Sequence, residues 1–290
     1  MMKRLTNTSC LSRLSLLFLP LMKSFLISFF VFTISLAHAG DNSPLGARSM
    51  GMAGCGTALS GDLWDAQNNQ AGLAFIKDFQ AGAFYESRFL VNDLGMKGFA
   101  AAMPTKQGVF DLDISSFGFN LYSENKAGIG FAKALGAKFA MSVQLDYFNT
   151  HIAENYGSAS TFCGEIGLMA MPVKNLTIGF HVYNPTRSKL SGSLPERLPI
   201  IMKLGALYRF SDRVFVSLEA EKDVDFKPVL RGGMEYRPID CFYLRAGIAS
   251  QPGLMAFGCG IIMKKLRLDI GSTFHSVLGF SPSVGLQYGF

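Results

Sequence analysis

The chain has 290 residues, of which 49% are hydrophobic, 12% aromatic and only 17% charged, with 31 glycines. Soluble domains carry roughly 25% charged residues, so this composition supplies more apolar surface than a water-facing shell needs, and it excludes disorder. The formal charge of +6 also shrinks on inspection: the 27 basic residues less Lys3, Arg4, Arg13 and Lys23 leave 23 against 21 acidic ones, which removes the main electrostatic argument for a nucleic-acid partner.

Those four basic residues belong to the first element. Lys23, the apolar run 24–36 and Ala37-His38-Ala39 before Gly40 are the basic, hydrophobic and small-residue parts of a secretory signal peptide. Residues 1–39 are therefore expected to be removed on export, with Met22 as a second candidate start. Four cysteines remain beyond them, Cys55, Cys163, Cys241 and Cys259, without a C-x-x-C pair. His151, His181 and His275 have no partner at metal-ligand spacing. Neither a metal nor a cofactor is expected.

Residues 40–78 do not alternate. They run Gly46-Ala47-Arg48-Ser49-Met50-Gly51-Met52-Ala53-Gly54, reach Asp62, and continue Asn68-Asn69-Gln70-Ala71-Gly72-Leu73-Ala74. Small residues let backbone pack close to other structure, which suits a plug inside a barrel. A phosphate loop is the competing idea, but no strand precedes the glycines and no Lys-Ser/Thr follows them.

From residue 79 onward the pattern has period two. Phe139, Met141, Val143, Leu145 and Tyr147 alternate with Ala140, Ser142, Gln144, Asp146 and Phe148; Leu176 to Tyr183 and Val214 to Glu221 repeat it. Successive side chains of a strand point to opposite faces, so each segment has one apolar face. Expected strands are 79–89, 94–103, 107–118, 127–134, 138–150, 159–171, 175–184, 199–210, 213–222, 228–238, 241–250, 253–263, 266–275 and 282–290. Many approach the roughly 9 to 11 residues of a tilted membrane-spanning strand, against a mode near 5 or 6 in soluble sheets. Two uncharged windows, Ala246 to Met263 and Ile270 to Phe290, are long enough for a helix. Ser250-Gln251-Pro252-Gly253 splits the first, and Gly279 with Ser281-Pro282-Ser283 the second, as turns. The fold class is all-β: an antiparallel transmembrane barrel of about 14 strands over 79–290, with 40–78 as a short hatch in the lumen.

Asp111, Asp113, Asp146, Glu165, Arg209, Glu219, Glu221, Arg245, Arg267 and Asp269 fall on the polar phase. Mixed signs inside a barrel cross-link neighbouring strands or line a wet path, and the first reading is preferred. The last strand places Val284, Leu286, Tyr288 and Phe290 on one face, a pattern like the signal read by the barrel-assembly machinery of Gram-negative outer membranes. A catalytic reading would rest on His275-Ser276, but adjacent strand residues face apart, and nucleophilic catalysis also needs an orienting acid or amide that the sequence does not place there.

The run G-A-R-x-M-G-M-x-G, a spacer with an Asp, and N-x-A-G-L-A resembles the N-terminus of the PorV/PorQ family and, more distantly, of FadL-type outer-membrane transporters. Gly46, Arg48, Gly51, Gly54, Asp62, Asn69 and Gly72 carry the match, while Gln70 stands where that family usually has Pro. Asn184-Pro185, 198–210, 221–225 and 231–247 extend it. The resemblance implies a fourteen-stranded barrel with a lumenal hatch. It also implies passage of small hydrophobic compounds with lateral exit through the wall or, alternatively, a non-enzymatic accessory role in envelope assembly or in type IX protein secretion in Bacteroidetes. The partners expected are outer-membrane lipid, the assembly machinery, and either hydrophobic molecules or secretion proteins.

Overall fold

The computed structural model describes residues 45–153, 157–191, 197–251 and 253–290; the expected signal peptide lies outside them. Fourteen strands close into one antiparallel barrel in which every strand pairs with its sequence neighbours and β1 meets β14. They are β1 Gln80–Ser87, β2 Gly95–Pro104, β3 Val109–Phe119, β4 Tyr122–Ala134, β5 Phe139–Ile152, β6 Gly157–Val173 and β7 Leu176–Tyr183. The second half comprises β8 Ile201–Ser211, β9 Val214–Asp223, β10 Val229–Ile239, β11 Phe242–Ala249, β12 Leu254–Met263, β13 Leu266–His275 and β14 Gly279–Gly289. Closure leaves no sheet edge along the ring, as hydrocarbon requires of a spanning backbone. No helix among the described residues is long and apolar enough to cross a membrane.

Burial alternates along each strand as the period-two reading requires. In β5, Ala140, Ser142, Gln144 and Asp146 are buried while Met141, Val143 and Leu145 are exposed. The exposed phase carries Leu112, Ile129, Leu218, Ile248 and Phe257 around the barrel. Outward aromatic pairs flank this belt, with Phe110–Phe131 and Phe79–Phe290 at the end of the chain termini and Tyr147–Phe162 and Phe274–Phe280 at the other. A belt of apolar residues between two aromatic girdles is the surface a transmembrane barrel presents to lipid.

Two expected boundaries move by three residues or more. β4 begins at Tyr122 rather than 127, because Tyr122 to Lys126 sit where both faces are polar and no apolar alternation survives. Ser281-Pro282-Ser283 lies within β14, and the turn falls at 276–278 instead. Phe290 N–H reaches Phe79 on the β1 side, so even-numbered residues of β14 direct their nitrogens there. Pro282 stands one residue past the last β1 pair, Glu86↔Ser283, where no ladder bond is lost to its missing N–H.

β6 is much longer than β7. Their register starts at Glu165↔Tyr183, so Gly157 to Gly164 have no β7 partner, and the β7–β8 connection crosses there through a Ser160↔Ser191 bridge. Leu198 of that connection packs with Phe148, Cys163, Tyr183 and Ile201.

Candidate functional site

Residues 45–76 lie against the inward phase of the wall. They form two single-turn helices, α1 Ala47–Met50 and α2 Asp65–Asn68, and a 3₁₀ turn, Gln70–Phe75. Inward glycines on the strands make room for them. A Cβ on Gly179 would stand 2.0 Å from Thr57 O, and one on Gly247 2.3 Å from the Met52 carbonyl carbon; Gly233, Gly258 and Gly271 are similarly close to Met52, Gly51 and Ala47. The segment's backbone thus rests directly on the wall's backbone, a distance that only glycine permits.

An ion-pair ring fixes one side of the segment. Arg48 donates to both oxygens of Glu235, 2.9 and 2.8 Å away, and to Asp62 Oδ2 at 3.0 Å. Arg245 pairs with Glu235 at 2.6 Å and with Asp269 at 2.8 Å. Arg267 closes the circuit to Asp269 at 2.7 Å and Asp62 at 3.4 Å. Three guanidinium groups alternate with three carboxylates, two from the segment and four from β10, β11 and β13. Every charge has two opposite neighbours, which offsets the large cost of burying it. Burial pushes the Asp62 carboxyl up, but Arg267 and Arg48 outweigh that and hold it below the usual range. Asp65, three residues on, is driven the other way, by burial first and then by Asp62.

Beside the ring, Glu219 accepts the backbone N–H groups of Gly56 and Thr57 at 3.0 and 2.9 Å. Glu219 and Glu221 share Arg231, and Glu221 pairs also with Lys203.

On the β3–β6 side the fastening is different. Gln67 Nε2 donates to Asp113 at 2.6 Å and Gln70 Nε2 to Glu165 at 2.6 Å. Lys126 lies 2.5 Å from Glu165 and 3.6 Å from Asp146; His181 Nε2 stands 2.8 Å from Glu165. Gln144 donates to Asp113 and Asp146. Asp111, although 4% exposed, has no hydrogen-bond partner at either oxygen.

The seven residues singled out from the sequence do not act alike. Arg48 and Asp62 belong to the ring. Asn69 donates to Thr57 O at 2.7 Å and Leu168 O at 3.2 Å, tying the segment to itself and to β6. Gly46 and Gly54 take positive φ, Gly51 faces Gly258, and Gly72 packs on Asp65. At the chain end, Val284, Leu286, Tyr288 and Phe290 share the exposed face. Sequence reasoning did not single out Glu235, Lys126, Lys203, Arg231, Gln67 or the inward glycines as site residues; the inward phase of the expected strands marks Lys203, Arg231 and Glu235, and it would have marked Lys126 had β4 been extended to Tyr122. His275 accepts two turn N–H groups, from Val277 and Leu278.

Solved structures share this fold over most of its length. The Pseudomonas putida toluene transporter TodX superposes with a TM-score of 0.67 at 12% identity, covering 86% of this chain and 99% of that one. The CymD monoaromatic hydrocarbon channel gives 0.64 at 13%, covering 87% and 99%. A Pseudomonas aeruginosa FadL homologue gives 0.62 at 12%, covering 88% and 99%. At such identities the likeness is one of fold. The sequence matches no family model and no curated protein.

Proposed function

We propose that this chain is an outer-membrane barrel that conducts small hydrophobic compounds, with residues 45–76 as its hatch. The observation that carries the reading is the lining of the lumen at the end remote from the chain termini. There Met96, Phe117, Phe148, Ile152 and Leu254 point inward yet stay half-buried. Met96, Phe148 and Leu254 rest on buried clusters with part of their surface still open, and inward apolar side chains open in this way form a surface for an apolar solute. The likeness to TodX and CymD, described as a toluene transporter and a monoaromatic hydrocarbon channel, supports the same reading. The stretch of β6 that β7 does not reach, 157–164, is bridged there by the β7–β8 connection and is the place in the wall suited to lateral exit.

Export by residues 1–39, insertion by the assembly machinery acting on Val284 to Phe290, and an annular lipid shell complete the proposal. A second reading, an accessory barrel of the PorV/PorQ type serving type IX secretion, draws on the Gly46 to Gly54 and Asn69 to Ala74 motifs, which fasten the segment on both sides. Uptake of a radiolabelled aromatic hydrocarbon by cells displaying the full chain tests the first reading. Saturable uptake above empty-vector cells is expected. Equal uptake in both, together with recovery of an envelope protein after cross-linking, would favour the second.

A further inference from the structure

The two halves of the inner wall differ in charge balance. On β8–β13, Arg231, Arg245, Arg267 and Lys203 answer Glu219, Glu221, Glu235 and Asp269. On β3–β6, Asp111, Asp113, Asp146 and Glu165 face one lysine, Lys126, and His181. Asp111 is independent evidence that this wall is made for a donor. Its carboxylate leans over Gly130, with an oxygen 2.4 Å from where a Cβ would be. Gly130 pairs with Gln144, the residue that bridges Asp113 and Asp146, so Asp111 is aimed into the cluster while both its oxygens stay unpartnered and buried. A buried carboxylate without a donor is costly.

No group of three His, Cys, Asp or Glu among the described residues is arranged to hold a metal ion, and the donor that suits the two open oxygens of Asp111 is a hydrogen-bonding cation. Its surroundings are apolar: Ala102, paired with Asp111 on β2, and Val109 and Ala132 beside it form one cluster with Leu73 and Ile76 of the segment. Building on the hydrophobic-channel reading, we propose that the barrel takes hydrophobic compounds bearing an ammonium group, received on the β3–β6 wall at Asp111 and Asp113. The amide N–H groups of Gln67 and Gln70 hold neighbouring acceptors in the closed state. An ammonium adds the attraction of opposite charges to the hydrogen bond that an amide already makes with a carboxylate, so an incoming ammonium displaces these amides and loosens the hatch. A carboxylate meets a wall whose acidic groups outnumber its cations and is disfavoured there.

Trp64 is the only tryptophan of the chain. It is buried in the segment with its ring 5.6 Å from Phe84, and its emission reports displacement. Octylammonium, octanol and octanoate, titrated into the full chain in zwitterionic micelles, separate charge from apolar bulk. The expected result is a red shift with octylammonium at a concentration about tenfold below that for octanol, a difference of about 1.4 kcal/mol, and none with octanoate. Asp111→Asn, alone and with Asp113→Asn, should abolish the preference and keep the octanol response; heat-modifiable migration in gels shows that the variants fold. Equal responses to octanol and octylammonium, a preference that survives in the variants, or a response to octanoate would overturn the ammonium assignment and leave the channel reading standing. Silence with all three would reject both.

Discussion

The segment inside the barrel is fastened to two walls by two kinds of chemistry. Against β10–β13 it contributes its own charges, Arg48 and Asp62, to a closed ring of alternating sign. Against β3–β6 it contributes neutral amides, Gln67 and Gln70, to carboxylates that outnumber their cations. A buried ring in which every charge is answered resists the loss of any member, because each removal strands two opposite charges. Amide–carboxylate bonds are replaceable by any better donor. The difference teaches that the two sides are fastened unequally; on the hatch reading proposed above, β10–β13 would be the hinge side and β3–β6 the side that lets go.

The largest effect should follow from breaking the ring. Arg245→Met leaves Glu235 and Asp269 each short of a partner, and a loss of about 3–5 kcal/mol is expected in urea unfolding followed by gel mobility. Gln70→Ala tests the opposite wall. It removes one hydrogen bond to a charged acceptor, a loss of about 1.5–3 kcal/mol, and because Lys126 and His181 still serve Glu165 the barrel should stay folded while Trp64 becomes easier to quench. If Gln70→Ala cost as much as Arg245→Met, the inequality between the walls would be gone. Gly179→Ala comes next. A Cβ 2.0 Å from Thr57 O forces the segment off β7, at about 1–3 kcal/mol, and protease cleavage within 45–76 should appear in the folded barrel.

The wall was far more legible in the sequence than what it holds. Period-two alternation shows which side chains face lipid, and Val143, Leu145, Leu218 and Leu286 are all on the exposed face. It fails where strands leave the apolar belt, as at Tyr122 to Lys126, and this hid Lys126, the one lysine of the acidic wall. The ring was illegible for another reason: Arg48 and Glu235 are 187 positions apart, and neither position carries a local signal of the other. Inward glycines such as Gly179 and Gly247 look the same as the outward Gly232 until a backbone lies on them. Gln70 illustrates the gain. As a departure from a resembled pattern it removes a fixed φ; in the structure it opens the 3₁₀ turn at Gln70–Phe75 and supplies an amide donor to Glu165 that proline lacks.

The smallest expected effect is a slope rather than a midpoint, and it asks whether the hinge side feels pH. Asp62 and Asp65 are both buried in the segment, but their carboxyls shift in opposite directions. Asp62 is held below its ordinary value, so its contribution is present above the unfolded carboxylate pKa and is lost as pH falls through the lower folded value. Asp65 is raised, so its contribution is complete below the unfolded pKa and declines as pH climbs toward the folded value. Asp65 Oδ2 accepts the Asp62 N–H at 3.0 Å, a bond that an asparagine oxygen keeps. Asp65→Asn should therefore leave the acid-side loss intact and flatten the decline above the ordinary carboxylate range, read from Trp64 quenching across pH. An unchanged alkaline slope would mean that the decline comes from elsewhere in the lumen, and that the hinge side is indifferent to Asp65.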